Sequence, residues 1–104
     1  MMPYRNQKLR DFAKDAPRCM YCLDHNEGQV VLAHSNSLLD GKGMGVKAHD
    51  IPAYLCNDCH RRVDEDTDIS SDVKELIRLH ATYSSILWLL ETGRLVVGNP
   101  PYKD

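Results

Sequence analysis

The segment LCNDCHRRVDED, residues 55–66, decides how this chain is organised. Cys56 and Cys59 form a C-x2-C turn, and His60 follows the second cysteine directly. The same frame occurs earlier at Cys19 and Cys22, so all four cysteines fall into two matched pairs separated by 33 residues. Each turn can aim two thiolates at one ion, and two turns complete a tetrahedral S4 shell with bonds of about 2.3 Å. A redox pair or free core cysteines would not explain two pairs with none left over. The spacing predicts structural zinc on Cys19, Cys22, Cys56 and Cys59, with binding supplying much of the folding free energy. The stretch between the pairs exceeds a zinc-ribbon span, so more than a hairpin must lie there.

The 104 residues suit one domain, and one this small gains from a metal staple. No apolar run approaches the roughly 20 residues of a membrane span, and the N-terminus MMPYRNQKLRDF lacks the apolar stretch of a signal peptide. The expectation is therefore a cytoplasmic protein that does not enter a membrane, a setting where disulfides are rare. Net charge is −2 but uneven. Residues 1–62 hold nine Lys and Arg against seven acids, and residues 63–104 hold four against eight. The basic residues thus gather in the half that carries the cysteines.

Working outward from the cysteines, residues 6–16 place Leu9, Phe12, Ala13 and Ala16 at helical spacing, with Asn6 as N-cap and Pro17 as the stop. A turn at 26–28 precedes a strand over 29–34 that ends on His34. Gly41, Gly43 and Gly45 exclude a regular helix, which leaves a long loop of the kind that carries function. A second short strand is expected over 53–55 and a short helix over 57–63. Residues 72–92 read as a long helix of roughly 30 Å with an acidic start at Asp72 and Glu75, and with Gly93 at C′. Its apolar stripe is Val73, Leu76, Ile77, His80, Tyr83, Leu87 and Leu90, widened by Ile86, Trp88 and Leu89. This helix should pack over the metal core, with His80 as a packed residue in its stripe, and its apolar end suits a homodimer contact.

With four thiolates assigned to zinc, the histidines need other tasks. His25 lies in a polar turn and reads as surface. His34 ends the strand. His60 starts the helix after the second pair, and Asp64 shares its face at i+4, so the two could converge on one ion or phosphate.

Taken together, the order is C-x2-C, a strand ending in Ala33–His34, a Gly43–Met44–Gly45 loop followed by Lys47 and Asp50, then Cys56 to Asp64 as C-x-x-C-H-x-x-V-D. This resembles the His-Me finger, HNH or ββα-metal endonucleases, and more narrowly is similar to the YbcO family of phage and prophage nucleases. The resemblance covers about residues 8–95. It implies an α+β fold: a zinc-stapled ββα-metal core over about 17–66 in a single domain, an N-terminal helix, and a long C-terminal helix. It implies a metal-dependent DNA endonuclease of phage or prophage type, hydrolysing phosphodiester bonds in a host cytoplasm. His34 matches the general base that activates water, and a neutral imidazole can accept that proton near neutral pH. His60 matches a ligand of a catalytic cation, Mg²⁺ or another divalent ion, which would stabilise the charge on the phosphate and the leaving oxygen. Lys42, Lys47, Arg61 and Arg62 would meet the nucleic-acid backbone. Many enzymes of this type place Asp or His before the base histidine, where this chain has Ala33, which cannot ligate. Asp50 and Asp64 are the candidates to replace it, with His49 next. Asp50, or less readily Asn36, could instead orient His34. Two other readings stand beside the nuclease: a non-catalytic zinc module that binds nucleic acid, and a protein-interaction zinc domain docking through the Trp88-containing helix.

Overall fold

The structure is a computed structural model that describes residues 4–34 and 49–98. The glycine loop, Asn36, Lys42 and Lys47 lie outside the described residues. Those described form a small α+β fold: helix α1 (Gln7–Asp11), a 3-10 turn (Phe12–Asp15), strand β1 (Val30–Leu32), strand β2 (Tyr54–Cys56), helix α2 (Asn57–Glu65) and helix α3 (Ser71–Glu91). No helix among them is long and apolar enough to cross a membrane.

The N-terminal helix is tighter than its sequence pattern suggests. Asn6 caps it, its side chain accepting from the Leu9 N–H at 3.1 Å. After Asp11 the helix narrows to a 3-10 turn, and Ala16 is extended, as the residue before proline prefers. The Asn26 turn is fastened to this element. The Asn26 amide donates to the Ala16 carbonyl at 2.7 Å and the Ala13 carbonyl at 3.1 Å, and its oxygen accepts from Gly28 N–H at 2.9 Å. Gly28 has φ +101, a conformation that suits glycine alone among ordinary residues.

The strands are antiparallel, with Val30 opposite Cys56, Val31 opposite Leu55 and Leu32 opposite Tyr54. Both differ slightly from the sequence expectation, β1 being shorter and β2 displaced by one residue. Pairing still extends past β1, since the Ala33 N–H donates to Ala53 carbonyl at 2.9 Å. Cys56 ends β2 and also caps α2, its sulfur accepting from the Cys59 N–H at 3.5 Å. The strand therefore turns into the helix with no loop between, and the second cysteine pair sits on that corner.

Helix α3 departs most from expectation. Its N-cap is Ser70, whose hydroxyl accepts from the Val73 N–H, so Asp72 falls inside the first turn. Its C-terminus follows the Schellman pattern: Gly93 at φ +74 and the Arg94 N–H donating to the Leu89 carbonyl at 2.9 Å. The face turned to the core keeps only Ile77 of the predicted stripe and Leu89 of its widening. Ile77, Ala81, Ser85 and Leu89 are buried, while Val73, Leu76, Tyr83, Leu87 and Leu90 are exposed, and His80 is exposed too. The reason is spacing. Ala81 and Ser85 are small enough to let the helix backbone approach β2, and the Ser85 hydroxyl accepts from the Tyr54 N–H at 2.9 Å while donating to Ala81 carbonyl at 2.6 Å. A leucine stripe would hold the helix too far away for that contact. Trp88 also turns inward, packing edge-on against buried Tyr54 with centroids 5.9 Å apart, and the Arg94 guanidinium lies over its ring at 4.6 Å.

Ser85→Ala should thus leave the buried Tyr54 N–H without a partner. The expected loss is about 1–3 kcal/mol, read as a lower urea midpoint with unchanged slope. An unchanged midpoint would mean that strand and helix dock without this bond.

Candidate metal centre and histidine sites

The first cysteine pair sits in a tight turn. The Cys19 N–H donates to the Asp24 carbonyl at 2.8 Å, the Leu23 N–H donates back to Cys19 carbonyl at 3.2 Å, and Leu23 reaches φ +70 to close it. The turn is tied to the sheet by the Met20 N–H, which donates to the Tyr54 carbonyl at 2.9 Å. This brings the pair against Cys56 and Cys59, and the four sulfurs lie within 4.8 Å of one another. Cys22 and Cys56 sulfurs are 3.7 Å apart, against about 3.8 Å for the edge of a tetrahedron with bonds of about 2.3 Å. The donor set therefore fits a zinc ion. It is the only group of three or more clustered metal-ligating side chains among the described residues.

The electrostatics agree with a cation site. Burial opposes ionisation of Cys19, but N–H groups aimed at its sulfur outweigh that and bring its pKa down to about 7. Burial raises Cys22 to about 11, and burial plus the neighbouring thiols push Cys59 still higher. Four thiols this close cannot all ionise unaided, and a bound dication removes the obstacle.

His34 lies two residues beyond β1, and its Nε2 is 2.7 Å from Asp50 Oδ1. The Asp50 side chain is fully buried. Its other oxygen accepts from the Asn6 N–H at 2.7 Å and lies 3.2 Å from Arg10 Nε, and Arg5 Nη1 is 3.6 Å from Oδ1. The Arg10 contact is an ion pair off the hydrogen-bonding line, for Arg10 Nε makes no hydrogen bond. Burial alone would raise the Asp50 pKa. The hydrogen bonds from His34 and Asn6 and the charges of Arg5 and Arg10 overcome it and hold the carboxyl below its ordinary value. Its contribution to stability is therefore present above the unfolded-state value of about 3.9 and fades as pH falls below that.

An ionised carboxylate only accepts, so His34 must donate from Nε2 when neutral, which leaves the lone pair on Nδ1. Asp50 thus has both oxygens engaged and no exposure, one of them meeting His34. His49 is also engaged, its Nδ1 accepting from Tyr4 N–H at 2.7 Å. Ala33 is buried.

The second histidine site is on α2. Cys59 and Val63 face the core, which leaves His60, Arg61 and Asp64 toward solvent. His60 Nε2 is 3.1 Å from Asp64 Oδ2, each side chain about one-third exposed. Arg61 pairs with Asp58 at 3.3 Å, and with Arg62 it borders a shallow surface depression completed by Glu65 and Asp66. His25 is exposed, as expected of the polar turn.

Arg5, Asn6 and Arg10 are the site residues that sequence reasoning missed. Asn6 reads as a helix cap, which it is, and nothing near it signals that its N–H also holds a carboxylate 44 residues away. The two arginines register only as part of a basic half. No protein family model matches this chain, and neither the curated proteins nor the solved structures contain a significant relative.

Proposed function

We propose that the protein is a metal-dependent DNA endonuclease of the HNH, or His-Me finger, type, built on a ββα-metal core and stapled by structural zinc. The observation that carries this reading is the His34–Asp50 pair: an accessible imidazole held in one tautomer by a buried carboxylate, with two arginines alongside. The order of elements supports it. Two antiparallel strands lead into a helix, with His34 just past the first strand and His60 one turn into the helix, as the sequence resemblance requires.

In this reading His34 Nδ1 takes a proton from a water molecule as that oxygen attacks phosphorus. The P–O3′ bond breaks, leaving a 5′-phosphate, and the departing oxygen gains a proton from solvent. Asp50 stabilises the imidazolium that forms. Arg5 and Arg10, each about one-third exposed beside the base, would attract the phosphate. A divalent cation such as Mg²⁺, held by His60 and Asp64 and otherwise by water and phosphate oxygens, would neutralise charge on the scissile group. Mg²⁺ usually takes only one or two protein carboxylates, so Ala33 is no obstacle to such a site. Arg61 and Arg62, with Lys42 and Lys47, would add salt-sensitive affinity for the backbone.

The test is nicking of supercoiled plasmid by the zinc-loaded protein with Mg²⁺ or Mn²⁺. Conversion to open circles is expected, and His60→Ala should lose it while retaining zinc and fold, because His60 lies outside the buried core and pairs with Asp64 on its own helix. Absence of nicking with any divalent cation, together with retained DNA binding, would favour a non-catalytic zinc module.

A further inference from the structure

The outward face of α3 carries large apolar residues from Val73 to Leu90. Leu76 is 65% exposed and Tyr83 71%, and Val73, Leu79, Leu87 and Leu90 are exposed as well. From Leu79 to Leu90 the helix contains no Asp, Glu, Lys or Arg. A helix lying on a small core normally turns charged and polar residues to water. Here the middle of the buried face is small, Ala81 and Ser85, while Val73, Leu76, Leu79, Tyr83, Leu87 and Leu90 point away from the core.

The exposed residues are also patterned. Positions 73, 76, 80, 83, 87 and 90 alternate steps of three and four, the a and d spacing by which one helix packs along another. The six largest exposed side chains leave on the order of 600 Å² uncovered, at the upper edge of what a monomer tolerates and close to the roughly 800 Å² per partner of a standard interface. The patch widens at its side. His80 meets the Tyr21 ring edge-on at 6.0 Å, which brings exposed Tyr21 of the first cysteine turn to its border, with exposed Leu23 two residues further along that turn.

We propose that this face binds a second copy of the same chain, forming a two-fold dimer with α3 against α3. A nucleic acid would require cations that the face lacks. A membrane surface would require basic flanks, whereas the ends of this face carry Asp72 and Glu91. A second copy supplies a surface of matching length, period and polarity, and a two-fold contact uses the same patch twice. Tyr83, the most exposed of these helix residues and midway between Leu76 and Leu90, falls near the axis.

Sedimentation velocity of the zinc-loaded protein over a wide concentration range tests this directly. The expected species has about twice the 11.8 kDa chain mass. Leu76→Glu combined with Leu87→Glu should shift it to monomer, weakening association at least tenfold, with zinc content and far-UV circular dichroism unchanged. If that variant does not fold, Tyr83→Ser provides the same test with a smaller perturbation. The melting temperature should also rise with concentration for wild type and not for the variant. A wild type that stays monomeric throughout, or a folded variant that remains dimeric, would overturn the proposal. Neither result bears on nuclease activity, which is read separately.

Discussion

Stripping zinc from the protein should abolish its cooperative unfolding transition. Two three-residue strands and three helices, of which only α3 is long, make a small core, and Cys19, Cys56 and Cys59 are themselves among its buried residues. Structural zinc contributes an apparent ~10–16 kcal/mol in small metal-dependent domains, against a net stability of roughly 5–15 kcal/mol for a typical domain. Losing the first leaves little or nothing of the second. A chelator titration followed by circular dichroism and Trp88 fluorescence should therefore show loss of tertiary structure with release of one zinc per chain. Cys56→Ser gives a sharper version. Cys56 is both one of the four clustered thiols and the N-cap of α2, and serine is a good N-cap. The substitution keeps the cap and removes the thiolate, so a severe loss of stability would be assigned to the metal. A metal-free protein that still melts cooperatively would make the cysteine cluster dispensable for folding.

The cysteine cluster was legible because its signal is local: two identical short turns, each fixing two sulfurs, whose partnership follows from number and spacing. The two strands and three helices were legible within a few residues for a similar reason, since caps, prolines and β-branched runs act over short distances. The face of α3 was not. Hydrophobic periodicity says which residues share a side of a helix, but not which side meets the core. The decision rests on Ser85, whose hydroxyl serves the Tyr54 N–H, a pairing 31 residues apart that no local pattern encodes. The histidine site divides in the same way. His34 and His60 could be singled out by their place beside strand and cysteines. The Asp50 carboxylate could be named from sequence as either a cation ligand or an orienting group, and its burial among Arg5, Asn6 and Arg10, which favours separating the two, is encoded by no local pattern.

That separation makes a second large effect predictable. On the nuclease reading, His34→Ala should reduce plasmid nicking by about 10²–10⁴-fold, the range that a positioned general base contributes. Its folding should change little, because the ring is one-third exposed and donates only to Asp50. Asp50→Asn should act through the same histidine. An amide can still face Nε2, but it no longer compels that nitrogen to donate and offers no charge to an imidazolium. A loss of roughly 10–100-fold is expected, as for other groups that orient an active residue. The two effects should not add: in the His34→Ala background, Asp50→Asn has no base left to orient, so the double variant should nick no more slowly than His34→Ala alone. Melting curves must accompany the assay, since neutralising the buried carboxylate weakens its ion pairs with Arg5 and Arg10 and costs stability. If Asp50→Asn instead multiplies the His34→Ala defect in folded protein, Asp50 serves the reaction by another route, and the orienting role fails. If His34→Ala nicks as fast as wild type, the base lies elsewhere or the activity belongs to a contaminant.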